Sequence, residues 1–128
     1  MIQAFRNHLA NRNIESRFIN DEHSLLTFDI GAIHYLFSYD RESDPTYIRV
    51  MIPNIAKIDA GNSEDVLPLF QLAQTYKVGK CLIESGQLWM SADTFIYSHE
   101  NLNLVFDRLI SVLSDMYNDY RRSHNGQE

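Results

Sequence analysis

A chain of 128 residues, 45% hydrophobic and 22% charged, is long enough for one domain and too apolar to be disordered. Its net charge is −6 and its lysines (Lys57, Lys77, Lys80) stand singly, with one Arg121-Arg122 pair near the end, which argues against the concentrated basic surface that nucleic acid requires. A single cysteine, Cys81, rules out an intrachain disulfide and a multi-cysteine zinc site, and no run of about 18 apolar residues suggests a membrane span.

Ile2, Phe5 and Leu9 recur at helical spacing among polar residues, predicting a short amphipathic helix that ends near Asn13. Arg17-Phe18-Ile19 reads as a short edge strand or lead-in, and Asn20-Asp21-Glu22 as a turn. Leu26, Phe28 and Ile30 alternate with Thr27 and Asp29. After the two-residue turn Gly31-Ala32, Ile33, Tyr35, Phe37 and Tyr39 alternate with His34, Leu36 and Ser38, and the whole predicts a hairpin. Beyond a polar loop from Asp40 to Pro45, Tyr47 to Ile52 forms the next strand, with Ile48, Val50 and Ile52 on its more apolar face. Pro53 has no N–H to donate, so regular pairing should weaken there or that side should be an edge.

The acidic run Ser63-Glu64-Asp65 suits a helix N-terminus, and Val66, Phe70, Ala73 and Tyr76 or Lys77 follow at helical spacing. Asp65 is the preferred N-cap, because it leaves Pro68 in the first turn, where its missing N–H breaks no helical bond. Gly79 is the expected stop for that helix. Cys81 to Glu84, the Ser85-Gly86 turn and Leu88 to Ala92 then form a second hairpin. Ser98 is placed to cap a final helix whose Leu102, Val105, Phe106, Leu109, Leu113, Met116 and Tyr120 line one broad face. The order α-β-β-β-α-β-β-α predicts an α+β fold, an antiparallel sheet of about five strands with helices packed on it. Residues 1–122 are expected to form a single domain and 123–128 a frayed tail.

Chemistry is sparse. His8, His23, His34, His99 and His124 lie far apart and lack helix-face or finger-like spacing, so no metal site is expected. Cys81 sits beside Leu82 and Ile83, which suits a buried structural thiol better than a nucleophile, and Lys80 alternates to the other face. Glu64 with Asp65 fits a helix start, and Asp115 with Asp119 a solvated surface pair. Asp40, Glu42 and Asp44 lack the glycine and distal glutamate of a calcium loop. Signatures for dinucleotide, P-loop and nucleophile-elbow chemistry are missing from the sequence. We expect no enzyme activity, no cofactor, no nucleic-acid or membrane partner and a cytoplasmic location, since the N-terminal residues lack an apolar run of signal-peptide length.

One feature stands out. If the more apolar side of each strand packs on the helices, the opposite side collects Leu25, Leu36, Tyr47, Met51, Leu82 and Trp89 among Thr27, His34, Arg49, Ser91 and Glu84. Either the sheet curls and buries part of this side itself, or a partner covers it. Leu36, Tyr47, Arg49, Met51 and Trp89 are the candidate partner-binding residues. The alternative is a small-ligand-binding domain or minor hydrolase, with His34, Tyr35, Arg49 and Trp89 around one pocket.

Several segments together resemble the YbjN family, whose fold is in turn similar to that of type III secretion chaperones. They are the strand Tyr47-Ile48-Arg49-Val50-Met51-Ile52-Pro53, the helix Val66 to Tyr76, the run Val78-Gly79-Lys80-Cys81-Leu82-Ile83-Glu84-Ser85-Gly86-Gln87-Leu88-Trp89, and the amphipathic helix from Asn101. The resemblance covers most of residues 16–120. It implies an adaptor or chaperone-like protein, often a homodimer, that binds a protein or peptide partner rather than transforming a substrate, and it carries over no catalytic residue.

Overall fold

The structure, a computed structural model, describes residues 1–40 and 42–125. Arg41, in the expected polar loop, and residues 126–128 of the expected tail lie outside the described residues. The elements in chain order are α1 (Ile2–Ala10), β1 (Ser16–Phe18), β2 (Leu25–Ile30), β3 (Ile33–Asp40), β4 (Thr46–Ile52), α2 (Ser63–Thr75), β5 (Gly79–Glu84), β6 (Gln87–Ile96) and α3 (Leu102–Asn125). The fold is α+β, as expected, with six strands among the described residues rather than about five. The extra strand is β1, the three-residue segment whose weak pattern had left strand and lead-in equally open.

All pairings are antiparallel, in the order β1-β2-β3-β4-β6-β5. The β2–β3 and β5–β6 hairpins turn where expected, through Gly31 at φ 61° and through Ser85 and Gly86 at φ 51° and 75°. Two positive φ values in a two-residue loop are the geometry that matches strand twist, and glycine takes one of them without strain. β4 stops at Ile52, as Pro53 requires. Contact with β6 resumes at Ile55, whose N–H donates to Leu88 C=O (2.8 Å), while Leu88 N–H donates to Ala56 C=O (2.7 Å).

The register puts Leu26, Phe28, Tyr35, Phe37, Ile48, Val50, Ile52, Leu88, Met90 and Ala92 on one face, all buried, and the helices pack there. Phe5 of α1 is the rivet of this layer. It stacks on Phe37 with ring centroids 3.9 Å apart and meets Phe28 and Phe106 edge-on at 5.4 and 4.9 Å. Burial of one such ring is worth about 2–3 kcal/mol, and its truncation to alanine about 3–5 once the cavity is included. A polar tie reinforces the same junction: buried His8 Nε2 donates to Asp107 Oδ1 at 2.7 Å, and Arg12 to Asp107 Oδ2 at 2.8 Å. α3 presents the expected stripe, with Phe106, Leu109, Leu113, Met116 and Tyr120 buried. No helix among the described residues is long and apolar enough to cross a membrane.

Three local expectations are corrected. The N-cap of α2 is Asn62, whose Oδ1 accepts from Glu64 N–H at 2.9 Å, while Asp65 accepts from Asp59 N–H in the preceding loop. Pro68 therefore lies inside the helix and removes one helical bond, and both Pro68 and Glu64, whose carbonyl loses its partner, are exposed to water. Gly79 does not end α2, which stops at Thr75 with Tyr76 in an extended conformation. It opens β5 instead, where a Cβ would sit 3.0 Å from Met116 Sδ and 3.2 Å from Tyr76 Cβ. Ser98 accepts from Glu100 N–H in the turn before α3, and the helix itself begins at Leu102.

The close approach at Gly79 sets a measurable demand. Gly79→Ala should push Met116 out of its place and lower unfolding free energy by about 1–2 kcal/mol, read as a lower urea midpoint at unchanged slope.

Candidate functional site

Side chains alternate along each strand, so the register that builds the core also builds the opposite face, over which no helix of the described residues packs. Cross-strand rows order it. At one end Tyr47 pairs with Phe95, their rings 5.0 Å apart, and Tyr97 lies 6.3 Å beyond Phe95. Ser38, Arg49 and Asp93 form the next row, then Thr27, Leu36, Met51, Ser91 and Lys80, and last Asp29 with His34 on one side and Trp89 with Leu82 on the other.

All five expected partner-binding residues share this face, but not equally. Leu36 and Met51 are direct cross-strand neighbours and only 9% exposed each, with Ser91 beside them at 0%. The face therefore shields its own centre, as the reading in which the sheet buries part of this side itself expects. Tyr47, Arg49 and Trp89 are half-buried around that centre, and Phe95 (45%) and Tyr97 (83%) are more exposed still. Sequence pattern had missed these last two because the second hairpin was read as ending at Ala92, whereas β6 runs on to Ile96.

Charge is concentrated at one carboxylate. Asp93, whose side chain is only 7% exposed, accepts from Lys80 Nζ at 3.0 Å and lies 3.5 Å from Arg49 Nε, too poorly aligned for a hydrogen bond. Arg49 also stacks over the Tyr47 ring at 5.7 Å. Beside it a shallow cavity of about 360 Å³ is lined by Arg49, Met51, Leu82, Glu84 and Trp89, and the Trp89 indole donates to Asn54 at 3.1 Å. Arg49 Nε and Ser91 Oγ are buried without a hydrogen-bond partner among the described residues.

His34 belongs to a different place. Its Nδ1 lies 2.6 Å from the Asp29 carboxylate, to which it donates, and its Nε2 lies 2.9 Å from the Thr27 hydroxyl. These three residues line a cavity of about 270 Å³ with Arg17 of β1, separate from the cavity at Trp89. The expected single pocket around His34, Tyr35, Arg49 and Trp89 is thus not formed. Tyr35 points to the other face, stacked on Phe28 at 5.2 Å in the core.

Over 97% of this chain and 93% of the other, the structure aligns with the crystal structure of YbjN from E. coli, described as a provisional transcription regulator, with a TM-score of 0.63 and 8% sequence identity. The chain has a YbjN-like fold. At that identity the likeness is one of fold alone. No family model matches the chain, and no curated protein matches it.

On the helix-covered side, an apolar groove of about 570 Å³ runs between α2 and β5, lined by Val66, Leu69, Phe70, Ala73, Cys81 and Ile83. Burial in it pushes the Cys81 thiol up to about 11. Raising a thiol's pKa depletes the reactive thiolate at neutral pH. Iodoacetamide should therefore alkylate the folded chain slowly at pH 7–8 and faster as pH approaches 11, while the urea-unfolded chain should react from near pH 8.5. Equal rates in the two states at pH 8, measured by mass spectrometry, would contradict the buried setting of this thiol.

Proposed function

We propose that this protein is a non-catalytic interaction module, an adaptor or chaperone-like protein whose open sheet face binds another polypeptide. The observation that carries the reading is the composition of that face. Tyr47, Phe95, Tyr97 and Trp89 ring a buried Leu36-Met51 centre, and no helix of the described residues covers them. Aromatic residues with methionine and arginine are the side chains most enriched where proteins meet, because they bury large area at small entropic cost. In this arrangement Trp89 and Phe95 anchor the partner. Arg49, already half-neutralised by Asp93, offers its remaining N–H groups to a backbone carbonyl or a carboxylate of the bound segment.

The description of YbjN as a provisional transcription regulator fits the same reading, if regulation acts through contact with a protein. A net charge of −6 favours a protein over nucleic acid as that partner.

The cavity at His34 favours a second reading, a small-ligand site or minor hydrolase, because Arg17 and the Thr27-His34-Asp29 line present a cation, a hydroxyl and an imidazole together. Small carboxylates would then raise the melting temperature, and Arg17→Gln would remove the shift; a flat response across a carboxylate panel removes this reading.

The interaction reading is tested by affinity purification from native lysate, with Trp89→Ser/Phe95→Ser as the control. Both positions are accessible enough for the variant to keep its circular dichroism spectrum, while affinity for the captured partner falls about 100-fold. An unchanged set of captured proteins rejects the open face as the binding surface.

A further inference from the structure

We propose that the shallow cavity beside Trp89 is a binding site for a neutral sugar, with the pyranose ring on the indole and its hydroxyls held by Arg49, Asn54, Glu84 and Gln87. The site lies at one corner of the open face and goes beyond the polypeptide reading, which makes no use of Asn54, Glu84 or Gln87.

The walls of this cavity are fixed by the backbone. β4 ends at Ile52, and after Pro53 the chain bends at Asn54, which has φ 51°. Asparagine is among the few residues other than glycine that enter the left-handed region readily. From this bend its Oδ1 accepts the Trp89 indole N–H at 3.1 Å, which orients the ring before any ligand arrives. Glu84 and Gln87 are cross-strand partners at the Ser85-Gly86 turn, and Gln87 is also bridged to Lys57. Met51 and Leu82 line the cavity as its apolar members. At about 360 Å³ it falls in the size range of small-ligand sites, roughly 300–1,000 Å³.

The polar groups around the indole select the ligand. A pyranose presents C–H groups on its faces and hydroxyls around its rim. The C–H groups carry a slight positive charge and pack on the negative face of an aromatic ring, for which indole offers the largest area. Each hydroxyl is both donor and acceptor, so neighbouring hydroxyls are matched by planar groups with two polar atoms. A carboxylate accepts twice, a guanidinium donates twice, and an amide does one of each. Glu84, Arg49 and the amides of Asn54 and Gln87 supply all three types around one tryptophan. With its oxygen taken by the indole, the Asn54 amide still has two N–H donors.

Charge decides against an ionic ligand. Arg49 and Lys80 lie 3.5 and 3.0 Å from the Asp93 carboxylate, and Glu84 adds the fourth charge, so two cations balance two carboxylates. A ligand of either sign meets no excess of the opposite one. A hydroxyl needs only hydrogen bonds, which side chains of both signs provide.

Trp89 is the only tryptophan, so its emission reports on the site directly. Titration of the full chain with glucose, galactose, mannose, maltose, lactose and cellobiose should give a saturable shift with at least one of them, at a Kd of about 1 mM for a ligand of this size in a shallow site. Calorimetry with that sugar should show affinity about tenfold weaker in Glu84→Gln and in Asn54→Gly, where glycine keeps the positive φ, and no binding in Trp89→Ser. Circular dichroism checks that each variant is folded. Emission indifferent to every sugar at about 100 mM, a saturable response to leucine or glutamate but to no sugar, or an affinity untouched by both Glu84→Gln and Asn54→Gly would each overturn the proposal. Phe95→Ser should leave the sugar affinity unchanged and Glu84→Gln should leave the captured polypeptides unchanged, so failure here and failure of the open-face reading are told apart.

Discussion

Val50 of β4 lies in one cross-strand row between Phe37 and Ala92, and Met51 lies in the next between Leu36 and Ser91. That double pairing of the central strand holds the molecule in its shape. A slip of one residue on either side would turn Val50, Ile48 and Ile52 into water and drive Arg49 into the helices, so the hydrophobic pattern admits one register. With it fixed, Phe5 of α1 finds Phe37 and Phe28, and Phe106 of α3 closes over Phe5, which commits the helices to the same side.

The open face inherits its character from the same constraint. It could not be made uniformly polar while Leu36 and Met51 stand opposite each other at its centre, and their neighbours shield them almost as well as a helix would. The shield has a consequence in polar groups. Asp93 is nearly enclosed with two cations beside it, and among the described residues Arg49 Nε and Ser91 Oγ are buried without a hydrogen-bond partner. A buried polar atom without a hydrogen-bond partner is unfavourable by about 1–3 kcal/mol, so this polar cluster sits against the otherwise apolar packing of the sheet.

The helices and hairpins were legible because their signals are local. Period-two alternation identified β2, β3 and β4 and assigned each side chain to a face, and the broad stripe of α3 was read residue by residue. Where the signals compete at short range, reading failed. Asn62, Ser63 and Asp65 are all competent caps, and the proline rule favoured Asp65. The loop before α2 decided otherwise by taking the Asp65 carboxylate for Asp59 N–H, at the expense of a helical bond at Pro68 on the solvent side. Gly79 looked like a helix stop, but its small size serves a contact with Met116, which lies 37 positions further along the chain.

By itself the sequence determined the fold class, the two faces of the sheet and the membership of the candidate face up to Ala92, because alternation along a strand is a property of consecutive residues; Phe95 and Tyr97 lay beyond the strand it had recognised. Only the tertiary structure decided who meets whom across that face: Leu36 with Met51, Asp93 between Arg49 and Lys80, Tyr47 against Phe95, and His34 in a cavity apart from Trp89. It also decided that β6 crosses next to β4 and leaves β5 at the edge. These relations depend on strand order and register between segments distant in the chain, and they are fixed by how all the apolar faces bury one another at once rather than by any stretch read alone.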